Sequence, residues 1–191
     1  MSGERLAMVR RRVGSPLLRS ARPGDAAGIA RVHVEAWRTT YAGSLPGAFL
    51  RGLSVPEHTA RWTRMLRPGG DTVLVIEDGE AGIVGFGSAG PARQAEMPVG
   101  DWQGEIYTLY LLTDWQGRGL GRALIHGLFD RLVDAGMERI ALWVVAANPT
   151  RFFYEAMGGR AVARRCEPFA GIMLDEIAYG WRFDLAHGDA A

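Results

Sequence analysis

An apolar run, Ile106 to Leu112 (IYTLYLL), leads into the stretch Gln116 to Leu124 (QGRGLGRAL), which opens a helix. Three glycines alternate there with two arginines and a leucine. Glycine costs roughly 1 kcal/mol relative to alanine inside a helix, and a turn from strand to helix needs one glycine, not three. A backbone this bare points to close approach by a ligand. The first turn of a helix offers unpaired N–H groups at the positive end of its dipole, a ready site for phosphate. Arg118 and Arg122 can add charge-assisted hydrogen bonds to it. A glycine-rich turn with no ligand is the alternative.

Two other phosphate-binding devices fail on the residues. A Walker-type loop ends in Gly-Lys-Ser/Thr, and this chain contains no lysine; all 22 of its basic residues are arginine. A dinucleotide fingerprint needs G-x-G-x-x-G, but Arg122 or Leu124 stands at the final position, depending on which glycine begins the count.

The pattern around the stretch is that of one mixed α/β domain over residues 16–186, behind a basic N-terminal tail at residues 1–15 that termini commonly leave unstructured. A short strand in PLLRSARPGD precedes a helix with Asp25 as its N-cap, on which Ile29, Val32, His33, Trp37 and Tyr41 share one face. A second helix runs from about Pro56 to Leu66. Two strand-like runs flank the Asp78-Gly79 turn signal, as in a hairpin, and PARQAEMPVGDWQG reads as a loop. The strand Glu105 to Leu112 comes next, followed by the glycine-opened helix, with Leu120, Leu124, Leu128 and Leu132 at four-residue spacing and Gly136 as its stop. RIALWVVAA reads as a strand buried on both faces, NPTRFFYEAMGG as a helix, and RAVARRC and IMLDEIAYGWRFDL as final strands. The expected architecture is a central, mostly antiparallel mixed sheet flanked by helices.

Composition sets the outer limits. A net charge of +1 gives no global attraction to nucleic acid or anionic membrane, so any basic site is local. No apolar run reaches the ~20 residues that span a bilayer, and the N-terminus lacks the apolar segment of a secretory signal. Cys166 is the single cysteine, so no internal disulfide forms, in keeping with a reducing, cytoplasmic setting. His33 and His58 show no metal-ligand spacing, and no metal is expected.

Gln116-Gly117-Arg118-Gly119-Leu120-Gly121 resembles the Q/R-x-x-G-x-G/A signature of the GNAT-type N-acetyltransferases, and LYLLTDW resembles the strand that leads into it. Downstream, NPTRFFYEAMGG is similar to the family's N-x-x-A-x-x-x-Y-E-x-x-G-F segment, with Arg151 where a small residue is common and Gly159 in place of phenylalanine. The resemblance implies a GNAT-like fold with acetyl-CoA as co-substrate. It implies a splayed strand whose backbone at Leu109 and Leu111 pairs with pantetheine, and a loop from Gln116 to Gly121, with Arg122, that holds the pyrophosphate. It also implies Asn148 against the cofactor arm, a position that a plain helix cap explains equally well.

Acyl transfer from a thioester to an amine needs a neutral amine, donors for the developing oxyanion and a proton for the departing thiolate. Backbone N–H groups near Leu111 are candidate oxyanion donors. Tyr154 stands at the family's tyrosine position and can donate a proton at neutral pH; otherwise it is a core aromatic beside Phe152 and Phe153. Glu105 is placed by two-residue alternation on the same face as Tyr107, Leu109 and Leu111. It reads as a base acting through water, as a charge attracting a cationic acceptor, or as a solvated strand-end residue.

Trp37, Tyr41 and Trp62 form an aromatic-rich region on the acceptor side, with Trp37 and Tyr41 as substrate-binding candidates; helix packing is the competing explanation for both tryptophans. EAWRTTYAG is similar to a segment in a bacterial branch of these enzymes. Direct transfer in a ternary complex follows, since Cys166 lies outside the motifs. An acyl-CoA-binding sensor with no catalysis is the alternative of a different class. A small-molecule or peptide amine is the expected partner, with a homodimer open on base rates.

Overall fold

The structure, a computed structural model, describes residues 15–93 and 101–184. The expected tail at residues 1–15 and the centre of the PARQAEMPVGDWQG loop lie outside the described residues, apart from Ser15. Seven strands form one sheet in the order β1-β2-β3-β4-β5-β7-β6. They are β1 (Leu17–Ser20), β2 (Thr72–Asp78), β3 (Gly82–Pro91), β4 (Gly104–Leu111), β5 (Arg139–Val145), β6 (Arg160–Phe169) and β7 (Ile172–Arg182). Only β4 and β5 pair in parallel; every other neighbouring pair is antiparallel.

Helices cover both faces. α1 (Ala26–Thr40), α2 (Gly47–Gly52) and α3 (Val55–Met65) precede β2, α4 (Leu120–Asp134) joins β4 to β5, and α5 (Arg151–Ala156) follows β5. The Ile29-Val32 stripe of α1 is fully buried, as its spacing requires. Leu124, Leu128 and Leu132 of α4 are buried on the opposite side. Alternate residues of β2 serve the two layers, so Val73 to Ile76 form a continuous buried run. α2 is a short helix that Pro46, at its N-cap, and the glycines at its two ends conceal in the sequence.

Two local readings change. Asp25 precedes α1 but makes no side-chain cap to it. Its carboxylate instead accepts from Arg22 N at 2.6 Å and from both terminal nitrogens of Arg19, a better charge partner than a helix N–H. The last strand, read in the sequence simply as a strand, divides into two halves. Its outer half alternates, whereas Ile177 to Trp181 are buried in succession. Trp102 packs against Gly180 on one face while Trp181 meets Phe129 and Tyr154 on the other.

His33, buried between α1, α3 and the sheet, stacks on Tyr110 at 5.3 Å and accepts a long hydrogen bond from Trp62 Nε1 at 3.4 Å. Burial, with His58 and Arg61 nearby, lowers its pKa from 6.5 to about 3. Between those values the unfolded chain binds a proton that the folded chain refuses, so stability falls as pH drops through 6.5. Urea unfolding at pH 7.5 and pH 5 should show His33→Gln relieved of up to about 2 kcal/mol of the wild-type loss. An equal loss in both proteins would place the acid sensitivity elsewhere.

Candidate functional site

β4 and β5 pair at Gly104–Ile140 and Glu105–Ala141 and then separate. A β-bulge helps to part them. Ser88 opposes Thr108 while Ala89 opposes Ile106, which leaves Tyr107 as the extra residue on β4. A bulge bends its strand and resets the alternation of side chains. Glu105 and Tyr107 therefore share the α1 face with Thr108 and Tyr110. Leu111 lies on the α4 face, where it packs against Gly85 and Gly121, and Leu109 shares that face. The simple alternation that puts Glu105 with Leu109 and Leu111 is corrected here: the bulge lies between them.

The backbone of Leu109 and Leu111 does face the gap. Leu112 N–H donates to Val84 O, and this fixes the alternation of an antiparallel pair: Thr108, Tyr110 and Leu112 bond toward β3, while Leu109 and Leu111 point away. On that outer edge Gln116 Nε2 donates to the Leu111 carbonyl at 3.2 Å, tying the glycine loop to the end of the strand.

The gap is a cleft of about 580 Å³, within the size range of ligand sites. Leu109, Leu111, Gln116, Gly117, Gly119, Gly121, Arg122, Asn148 and Tyr154 all line it. Gly117 and Gly119 adopt φ of +71° and +79°, a conformation that side chains disfavour, and Gly119 is the N-cap of α4. Gly121 has ordinary backbone; a Cβ there would sit 3.4 Å from Leu111 and 3.6 Å from Phe153, at the cleft wall. Two residues of the sequence-predicted cradle do not line it. Arg118 lies 4.8 Å over the Trp115 ring, and Leu120 packs against the core.

α5 begins at Arg151, so Asn148 is not its N-cap. Asn148 Oδ1 nevertheless accepts from Thr150 N at 2.9 Å. Tyr154 is buried on α5, held edge-on by Phe153 and Trp181. Burial first, and Tyr41 second, push its phenol well above the usual tyrosine range.

A second cavity of about 190 Å³ opens on the α1 face and shares Tyr41, Ile106, Tyr107, Tyr110, Trp143 and Val144 with the cleft. Glu105 lines it and is neither solvated nor alone. Its side chain is 2% exposed and forks onto Arg93. Oε2 accepts from Arg93 N at 3.0 Å and Nε at 3.2 Å, and Oε1 accepts from Nη2 at 2.5 Å.

Trp37 lines this smaller cavity, Tyr41 lines both, and Trp62 is core. Trp37 Nε1 is buried with no acceptor in hydrogen-bond reach among the described residues. Arg93, Arg165, Phe169 and Glu176 also line the smaller cavity. They escape a reading of the sequence because they come from the end of β3 and from the β6–β7 hairpin, with no local motif to join them.

Among the described residues no group of His, Cys, Asp or Glu could hold a metal, and no helix is long and apolar enough to cross a membrane.

The comparisons with known proteins agree with this geometry. The chain is 35% identical over 164 residues to an uncharacterized N-acetyltransferase of Bacillus subtilis (strain 168), YuaI, covering 86% of this chain and 91% of that one. Its fold is similar to that of paiA N-acetyltransferase from Thermoplasma acidophilum, solved in complex with coenzyme A. There the TM-score is 0.66 at 16% identity, over 89% of this chain and 100% of the other. It is likewise similar to an N-acetyltransferase from Staphylococcus aureus Mu50, with a TM-score of 0.68 at 16% identity, over 90% and 100% of the two chains. The model of the Acetyltransferase (GNAT) family matches residues 29–158, and the chain belongs to that family.

Proposed function

We propose that the chain transfers the acetyl group of acetyl-CoA directly to a primary amine, with acetyl-CoA in the larger cleft and the amine in the smaller cavity. The observation that carries this reading is the parting of β4 from β5, beside which the two cavities adjoin, with Tyr41, Tyr107 and Tyr110 lining both. The outward backbone of Leu109 and Leu111 suits an extended arm that pairs like a strand. The glycine loop at the start of α4, with Gln116 and Arg122 on the cleft wall, suits a pyrophosphate.

Acetyl-CoA supplies an activated acyl group on sulfur; the chain's residues supply the rest. Amides on the open edge of β4 stabilise charge developing on the acyl oxygen. Tyr154 keeps its proton across the neutral range and donates a hydrogen bond to the departing sulfur. The proton that the amine loses on attack restores whatever Tyr154 gives up, so the balance closes without a second acid. Glu105, fixed by Arg93, positions the wall of the acceptor cavity. A shuttle role fits less well, because Oε2 already holds two donors and Oε1 a short, charged one. A sensor without catalysis would need the cleft but not a buried phenol in its wall.

Three variants test the reading. Gly121→Val should abolish acetyl-CoA binding, measured by titration, with little change in the melting temperature. Gly119→Val should also lose about 1–2 kcal/mol of stability through its left-handed backbone. Normal binding by Gly121→Val would reduce the loop to a turn. Tyr154→Phe should lower kcat on the order of 10²-fold or more at every accessible pH. It should leave any alkaline limb of the rate profile in place, since burial moves this phenol out of that range; near wild-type turnover would make Tyr154 a core aromatic. Glu105→Gln, which breaks the fork, should raise KM for the amine more than it lowers kcat. A kcat loss concentrated at low pH would instead make Glu105 the base.

A further inference from the structure

The smaller cavity borders an apolar cluster separate from the main core. Tyr41, Leu45, Leu50 and Val145 are buried in that cluster, and Trp37, Phe49 and Phe169 pack against them. The end of α1, the segment that carries α2 and the tip of the β6–β7 hairpin meet there. A small cluster of this kind is held by few contacts, and opening it costs less than global unfolding.

α2 does not hold its own place. It has six residues and buries one of them, Leu50, whereas an isolated helix in water needs about 12–15. The last carbonyls of a helix have no N–H partner within it. Arg38, in the last turn of α1, reaches those of α2. Its Nε donates to Leu50 O at 3.1 Å, and its Nη2 donates to Leu53 O at 2.7 Å and to Arg51 O at 3.4 Å. A guanidinium suits this task, because its donors form a rigid fork and a cation is favoured at a helix C-terminus.

What α2 carries toward the cavity is Phe49. Its ring lies 5.2 Å from Phe169 and 5.9 Å from Trp37, which lie 6.0 Å from each other. Trp37 and Phe169 line the cavity, one from α1 and one from the hairpin. Phe49 packs against both from outside the lining. Arg38 lines neither cavity, so its removal takes no direct contact from a ligand in either. Resting on the acetyl-transfer reading above, which puts the amine in the smaller cavity, we propose that Arg38 is a positioning residue for that amine. It fastens α2 to α1, so that Phe49 keeps Trp37 and Phe169 in place as the aromatic wall.

A second arginine of α1 supplies the control. Arg31 Nη2 donates to Ile83 O at 2.6 Å and to Ala81 O at 3.3 Å, the same kind of bond made to the β2–β3 hairpin instead of α2. Arg38→Leu, Phe49→Leu, the two combined, and Arg31→Leu are compared with the wild type, each labelled with fluorotryptophan. The Trp37 fluorine signal is identified by its loss in Trp37→Phe. Arg38→Leu and Phe49→Leu should each shift it, whereas Arg31→Leu should leave it in place whatever stability is lost. Thiol release is then followed with acetyl-CoA and phenethylamine, spermidine or trialanine amide. Arg38→Leu and Phe49→Leu should each raise KM for the amine about fivefold or more, with kcat and acetyl-CoA affinity within about twofold of the wild type. The combined variant should be no worse than the poorer single one, because both act through one contact. Arg38→Lys keeps the charge but not the fork and should recover part of the KM; it replaces Arg38→Leu in every comparison if that variant does not fold.

An unmoved Trp37 signal in Arg38→Leu overturns the proposal, as does a KM unchanged there or raised equally by Arg31→Leu. Additive losses in the combined variant also overturn it, since Arg38 would then act apart from Phe49. If the wild type binds acetyl-CoA and turns over none of the three amines, the fluorine signal decides alone. Absence of acetyl-CoA binding would overturn the acetyl-transfer reading itself, and the fluorine signal would still decide whether Arg38 sets the wall.

Discussion

β4 and β5 share two residue pairs, Gly104–Ile140 and Glu105–Ala141, before they part. Parallel strands ordinarily stay paired because each unmade backbone hydrogen bond in a buried sheet costs free energy. Here the extra residue at Tyr107 redirects β4, and Tyr107 and Trp143 stand between the strands as shared walls of both cavities. The unpaired edge, with the backbone of Leu109 and Leu111 on it, is then available to a ligand that can replace the missing strand. The glycine loop and Tyr154 line one cleft because this edge is open between them.

The same opening governs the electrostatics. It brings Tyr41 and Tyr110 to the lining of both cavities and Tyr154 to that of the larger one, and burial raises all three phenols. Ionic groups are kept in pairs at the rim: Arg93 with Glu105, Arg165 with Glu176. On the acetyl-transfer reading proposed above, such a site favours the neutral form of an amine by removing water and offers neutral donors where negative charge develops. Such donors are already oriented and need no rearrangement at the moment of reaction.

Much of this was legible in the sequence where the signal is local. The glycine alternation marked the start of α4, periodicity marked the buried faces of α1 and α4, and the order of strands and helices followed from turn residues. The outward direction of the Leu109 and Leu111 backbone follows from strand order and pairing, not from side-chain direction. What failed was non-local. The bulge at Tyr107 is set by pairing with Ser88 and Ala89 across the sheet, and no period-two count along β4 reveals it. Arg118 could be placed near the loop, but not its preference for the face of Trp115. Asp25 sat correctly before a helix, yet Arg19, arriving from β1, outcompeted the helix N–H groups for its carboxylate. The smaller cavity was only half visible, because Trp37 and Tyr41 lie in one helical segment whereas Arg165, Phe169 and Glu176 arrive from a hairpin more than a hundred residues later.

The position of β7 explains why that hairpin matters. In chain order β6 precedes β7, yet β7 is the strand that pairs with β5, and β6 forms the sheet edge. β7 therefore carries Tyr179 and Trp181 under α5, where Tyr179 Oη donates to Glu155 and Trp181 Nε1 donates to the Met157 carbonyl. These contacts fix α5, and with it Tyr154, against the sheet. Further along the same hairpin, Glu176 and Leu174 of β7 and Arg165 and Phe169 of β6 close the smaller cavity, where Phe169 packs against Trp37 and Phe49. One hairpin thus sets both the place of Tyr154 in the larger cleft and the wall of the smaller cavity. A substitution that shifted its register by one residue would exchange its faces and disturb both halves of the site together, whereas a change in the glycine loop touches only one.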